Sequence, residues 1–273
     1  MDDLAAWVGR TQTTRDTITP AMADRMAATL DAEATFQTGD ALPSLWHWMA
    51  HPHVVPTSRI GPDGHPSRGG FMPPIALPRR MWAGSRVTFD APLPVGHELT
   101  RTSAIARVAP KEGRSGRLCF VTVRHTIEAG GAVAVTDEHD IVYRDDPDPE
   151  AAPPPPVAPP DGAVTSQTIV PDPVLLFRYS ALTFNGHRIH YDRDYCRQVE
   201  GYPGLVVHGP LIATLLGGLA ERVGGARLAR FAFRAVSPLF DTAPFAIHAD
   251  GAGTVWATRP DGALAMKAEV AYQ

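Results

Sequence analysis

FRYSALTFNGHRIH, residues Phe177–His190, sets three aromatic side chains and an apolar helix-like run against a polar tail. PDPVLLFRYSALT predicts a short helix with Leu175, Leu176 and Tyr179 on one side. The helix breaks at Asn185-Gly186, a pair suited to a turn with positive φ. The polar groups therefore fall on a loop that a scaffold presents. GYPGLVVHGPL (Gly201–Leu211) follows and leads into LIATLLGGLAERV. There Leu211, Leu215, Leu216 and Leu219 recur at helical spacing. Pro210 suits a first turn, and Gly224-Gly225 supply the stop. Unpaired N–H groups near Gly209 would lie at the positive end of this helix, where an oxyanion can be held.

Strands flank this helix on its C-terminal side. LARFAFRAVSPLF, FAIHAD, TVWATR and ALAMKAEVAY alternate partly and are separated by DTAP, GAG and PDG. A similar set closes the first half: WAGSRVTFDAPL, HELTRTSAIARV, RLCFVTVRHTIE and AVAVTDEHDIVYR. Pro92-Leu93 and Pro238-Leu239 occupy corresponding places, a faint internal repeat. The first half has no equally clean helix there, since Pro73, Pro74 and Pro78 interrupt it. Its best helix lies earlier, in AMADRMAATLDAE after Thr19-Pro20. Between the halves runs PDPEAAPPPPVAPPDG, residues 147–162, expected to be an extended strap. The chain thus divides into 1–146, the linker 147–162, and 163–273. The fold class is α+β, two units that each curl strands around a helix.

The 273 residues are 44% hydrophobic, ample for such a core. A net charge of -4 argues against a general nucleic-acid binder. No apolar run suffices to span a bilayer, and the N-terminus lacks signal-peptide chemistry. Cys119 and Cys196 fit free thiols in a reducing cytosol. The expected setting is cytoplasmic, without a membrane.

The spacing Tyr179-x3-Thr183-x-Asn185-x4-His190, followed by the His208-Gly209-Pro210 helix start, resembles the MaoC-like (R)-specific enoyl-thioester hydratases and dehydratases. Their signature reads S/T-G-D-x-N-P-x-H, and its Asp and His form the catalytic pair. Here those places hold Asn185 and His190. Thr183 matches the first position, Phe184 replaces the glycine, and His187-Arg188 replace Asn-Pro. NGHRIHYD, MWAGSRVTFDAPLPVG and the proline linker are similar to the double-hot-dog dehydratases of the 3-hydroxyacyl-thioester type and the mesaconyl-C4-CoA and itaconyl-CoA hydratases. The resemblance implies a double hot dog, in which two curved antiparallel sheets each wrap a helix.

It also implies chemistry on a thioester-conjugated C=C bond. His190 would be the general base, because an imidazole titrates near neutral pH. Asn185 cannot ionise, but its amide can orient water. The Gly209 N–H would meet the thioester oxyanion. Tyr179, His187, Arg188 and His208 are the expected substrate-side residues, with Arg188 the nearest arginine for an acyl carboxylate. Each has a structural alternative: His187 and Arg188 as loop anchors, His208 as a helix cap or support. Arg178 and Arg193 are candidates for CoA phosphates or plain solvated charges. Asp192 either orients His190 or Arg188, or caps DRDYCRQVEG. Trp46, Trp48, Phe71 and Met72 are expected either to line the acyl pocket or to be core. His51 and His53 form an i,i+2 pair without a supporting carboxylate or thiol, so no metal is expected. No cofactor is implied, the CoA thioester being the substrate.

Three other functions share this scaffold. A 3-hydroxyacyl-ACP dehydratase would keep the chemistry and change the carrier. A thioesterase would need a carboxylate on the long helix, where Glu221 lies near the far end. A catalytically silent binding protein would be consistent with Asn185. A homodimer also remains open.

Overall fold

The computed structural model describes residues 4–67, 70–113, 116–146 and 154–273. Strands β1 (Thr11–Thr17), β2 (Arg79–Phe89), β3 (Glu98–Gly113), β4 (Gly116–Ala129) and β5 (Ala132–Arg144) come from the first half. Strands β6 (Thr165–Ile169), β7 (Leu228–Ala235), β8 (Phe245–Ala249), β9 (Thr254–Thr258) and β10 (Leu264–Tyr272) come from the second. They form one ten-stranded sheet in the order β1-β3-β4-β5-β2-β7-β10-β9-β8-β6. The two expected sheets are thus joined edge to edge. The seam is antiparallel, with Gly84–Thr88 of β2 paired to Arg234–Arg230 of β7. Each half alone would expose a long edge strand there, and pairing removes both edges.

Helix α4 (Gly209–Gly224) fills the concave side of β7–β10. Its Leu211, Leu216 and Leu219 are buried, as the leucine spacing requires. Gly225 ends it in the left-handed conformation, and its N–H closes on the Glu221 carbonyl. Gly217 is where the Leu45 side chain rests, and a Cβ would collide with it. Glu221 accepts from Ser44 Oγ and the Leu228 N–H, at the far end from the loop.

The first half has no helix matching α4 among the described residues. Helix α1 (Pro20–Thr29), capped by Thr19, packs against α2 (Pro173–Thr183). The segment around the 3₁₀ turn Trp46–Met49 enters the main core instead. A second, smaller core gathers Ile75, Leu77, Ile105, Cys119, Val121, Val123 and Tyr143. Phe71 and Met72 pack on that cluster, not on a substrate cavity.

The sequence reading missed β1 and β6. Both are short, threonine-rich, mostly exposed edge strands with no buried stripe to betray them. Of the proline strap, residues 147–153 lie outside the described residues. Its remainder is neither helix nor strand, and the Val157 carbonyl accepts from the Leu264 N–H at 2.8 Å.

Candidate active site

Helix α2 is capped by Asp172, which accepts from the Leu175 N–H at 2.8 Å. The turn after it comes one residue earlier than Asn185-Gly186 suggested. Phe184 takes the left-handed conformation, φ 52°, and the Asn185 N–H closes on the Ser180 carbonyl. The Asn185 Oδ1 then accepts from the His187 N–H at 3.0 Å. Its amide oxygen is thereby engaged by the backbone, leaving the NH2 group to face outward. A 3₁₀ turn, Arg188–His190, carries the chain on to Asp192, whose side chain caps α3 (Arg193–Gln198).

His190 is buried within this turn. Its Nδ1 lies 2.7 Å from the Val206 carbonyl, so Nδ1 carries the proton and Nε2 presents a lone pair. Nε2 has no hydrogen-bonding partner among the described residues. It is also not one of the sealed orphan atoms of the interior, so it keeps contact with solvent. Burial lowers the His190 pKa to about 4, against the opposing pull of the Val206 carbonyl. The ring is neutral at physiological pH and can accept a proton.

Four imidazoles form a column through this region. Ring centroids are 4.0 Å apart for His65–His187, 5.6 Å for His187–His190 and 3.6 Å for His190–His208. Burial and mutual repulsion push the His187 pKa to about 2 and that of His208 well below the usual histidine range. His65 is lowered by burial despite its 3.0 Å contact with the Asp63 carboxylate. Asp63, His65 and His187 offer three ligand-type atoms within 4.8 Å of one another. Asp63 also receives the His65 N–H and lies 3.0 Å from its ring nitrogen.

Two cavities of about 370 Å3 each meet at this loop, sharing His53, Pro66, Phe184, Asn185 and Gly186. The outer one is largely apolar, with Val55, Ile60, Phe177, Ala181 and Tyr191 on its wall. The inner one runs between the two halves and is polar, with Arg80, Arg101, His47, His51, Asp137 and Tyr179 among its lining. Gly209 opens α4 beside it, next to the wall residue Pro210. A Cβ on Gly209 would meet no atom within 4 Å, so the backbone at the start of α4 is not crowded on that side.

The structure brings Tyr179 and Asn185 to the inner cavity wall and sets His187, His190 and His208 behind it. Ser180 Oγ holds His208 Nε2 at 2.8 Å, a supporting contact within the interior. Arg188 is turned elsewhere. It binds Asp192 and the Pro62 carbonyl and lies over the Tyr195 ring at 4.2 Å. It therefore fastens residues 61–64 onto the loop, with the Arg188 N–H on the Asp63 carbonyl. Arg193 pairs with Asp241. Of the four expected pocket residues of the first half, Trp48 alone reaches either cavity, while Trp46 is buried in the core with its ring tilted against Phe36.

Sequence reasoning did not find the buried carboxylate of the inner cavity. Asp137 receives Trp48 Nε1 at 2.8 Å, His139 Nε2 at 2.7 Å and His47 Nε2 at 3.2 Å. Burial alone would raise its pKa. The His139 and His47 contacts outweigh it and hold the carboxyl well below the usual range. Its sequence signal was slight, a charge inside the alternating strand AVAVTDEHDIVYR.

A double hot dog with a histidine loop at the mouth of a two-chambered cavity defines a class, and known proteins agree with it. The family model for hydroxyacyl-thioester dehydratase type 2 matches residues 45–241. The chain belongs to that family and is an enzyme of the hydratase/dehydratase class. The mesaconyl-C(4)-CoA hydratase of Chloroflexus aurantiacus is 48% identical over 272 residues, which cover 98% of this chain and 97% of that protein. The crystal structure of HtdX from Mycobacterium tuberculosis superposes with a TM-score of 0.66 at 20% identity, covering 97% of this chain and 100% of that one. A second M. tuberculosis protein, described as a double hotdog fold, gives 0.57 at 12% identity over 96% and 95%.

Proposed function

We propose that this hydratase adds water across the C=C bond of a short, branched dicarboxylic enoyl-CoA, with mesaconyl-C4-CoA the leading substrate. The observation that carries the chemistry is the neutral His190, its tautomer fixed by Val206 and its Nε2 without a hydrogen-bond partner just behind the Asn185 wall. The identity to a mesaconyl-C(4)-CoA hydratase supports the acyl group. In this reading the pantetheine arm enters through the apolar outer cavity. The thioester rests at Asn185-Gly186, and the acyl group occupies the inner one.

Water gives one proton to His190 Nε2 as its oxygen bonds to the β-carbon. The π-electron pair moves onto the thioester oxygen, making an enolate that faces the Gly209 N–H. The enolate collapses, and the α-carbon takes a proton from the imidazolium. Asn185 directs its NH2 group at the water or the thioester. Tyr179 and the inner wall shape the acyl site, and His187 and His208 hold His190 in place. Only protons and electron pairs move, so the reading assigns no cofactor beyond the CoA of the substrate. Cys119 and Cys196 are buried free thiols, which supports a cytosolic setting.

The test is loss of enoyl absorbance with crotonyl-CoA, mesaconyl-C4-CoA and itaconyl-CoA, with H190A beside the wild type. Turnover fastest on a dicarboxylic substrate and lost in H190A is the expected result. A folded protein that hydrates none of the three sinks the proposal.

A further inference from the structure

We propose that Arg101, not Arg188, anchors the free carboxylate of the acyl group, and that this residue sets the preference for a dicarboxylic thioester. The inference rests on the hydratase reading above for the placement of the acyl chain. Arg101 sits on β3 and lines the inner cavity, with no carboxylate in ion-pair contact among the described residues. Its Nη2 donates to the His51 carbonyl at 2.9 Å. Its Nε is sealed and has no partner. Its Nη1 is unpartnered and not sealed, which leaves a charged donor open to the cavity. Neither nearby carboxylate forms an ion pair with Arg101, although the Asp137 Oδ1 is itself sealed without a partner. Asp137 takes three N–H donors from His47, Trp48 and His139, and Asp16 takes the Thr17 and His51 backbone N–H groups.

His51 on the same wall also carries an unpartnered atom. His51 contacts Thr14 Oγ1 through Nδ1 at 3.0 Å, while its Nε2 is sealed without a partner. His51 also stands in the left-handed region, φ 58°, a conformation uncommon for a residue with a Cβ. The sealed atoms are out of a ligand's reach, but the open Arg101 Nη1 is a donor that a ligand in the cavity can complete. An arginine suits a carboxylate, and a half-buried one does so with little competition from water. The other wall arginine, Arg80, acts electrostatically on His53, His65 and His187, which places it toward the loop end. Arg101 shares His53 with Arg80 but also acts on His51 and His125 and feels Asp137, which sets it nearer the inner end.

Succinyl-CoA and butyryl-CoA test this, because they differ in one terminal carboxylate and neither can be hydrated. Calorimetric titration of the wild type should show succinyl-CoA binding tighter, by about tenfold to a hundredfold, the range for a charge-assisted contact. R101Q should lose that preference and bind the two thioesters about equally, with an unchanged far-UV circular dichroism spectrum reporting that it is folded. R101K, which keeps the charge, should restore part of the preference. Equal binding of the two thioesters by the wild type overturns the anchor, as does an R101Q variant that weakens both alike or keeps the preference. Should R101Q fail to fold, the wild-type comparison and R101K decide. Carboxylate-dependent binding without hydration of any enoyl-CoA would sink the hydratase reading and leave the anchor standing. Hydration without carboxylate-dependent binding would do the reverse.

Discussion

Asn185 holds an amide where the family signature has a carboxylate, and its surroundings explain why an amide is tolerated. The Oδ1 atom accepts the His187 N–H, a task either side chain performs. The charge is what differs. His187 and His190 are kept neutral by burial, and a carboxylate beside them would favour their protonated forms. N185D should therefore fold normally and move the acid limb of kcat/KM to higher pH. A limb that stays put would show that residue 185 does not face the imidazoles. In the wild type that limb should fall near pH 4, not 6.5, because the base works in its neutral form. A kcat/KM profile that drops through pH 6.5 would exclude His190 as a base with this burial. H190A should lower kcat by about a hundredfold to ten-thousandfold, the range for a general base.

At the scale of elements, two backbone approaches assemble the site. Gly64, φ +86°, lies so close to the Gly186 carbonyl that a Cβ at 64 would overlap it. This contact and the Arg188 hydrogen bonds dock the 61–66 segment over the loop and bring His65 to the imidazole column. G64A should lower kcat/KM at least tenfold with little change in the thermal midpoint, because the segment is peripheral to the core. Equal losses of stability and activity would contradict that. The second approach is at the seam. Gly84 faces the Phe233 carbonyl, and a Cβ there would displace β7. G84A should destabilise the fold by about 1–3 kcal/mol, read as a lower denaturant midpoint. An unchanged midpoint would mean that the seam adapts.

For the whole molecule, the concentration of buried imidazoles makes folding sensitive to acid. The His190 pKa is near 4 in the folded chain and near 6.5 when unfolded. The unfolded chain therefore binds more protons below pH 6.5. Stability is complete above that pH and declines as pH falls toward 4. His190 alone accounts for roughly 3 kcal/mol over that range. His51, with a pKa near 4, and His187, near 2, act in the same direction. Urea midpoints measured at pH 7.5, 6 and 5 should fall progressively below pH 6.5. A midpoint that is flat from 7.5 to 5 would refute the neutral column.

The sequence by itself determined the long helix with its proline start and glycine stop, eight of the ten strands, and the loop bearing Asn185 and His190. Those features are local. They depend on leucine spacing, alternation and turn chemistry within a few residues. Helix α2 and the Asp192 cap were legible for the same reason. The two edge strands were not, since a polar strand has no buried face to mark it. What tertiary structure decided is everything that joins distant segments. The ten strands meet at one seam, Arg188 turns to Asp192 and Pro62, and His65 joins the column from more than a hundred residues away. Asp137 and His139 share a face of β5 by local alternation, but His47 reaches them from the Trp46–Met49 turn ninety residues earlier, a meeting only the tertiary fold decides. Pairing register is a property of two segments at once, and neither carries it alone.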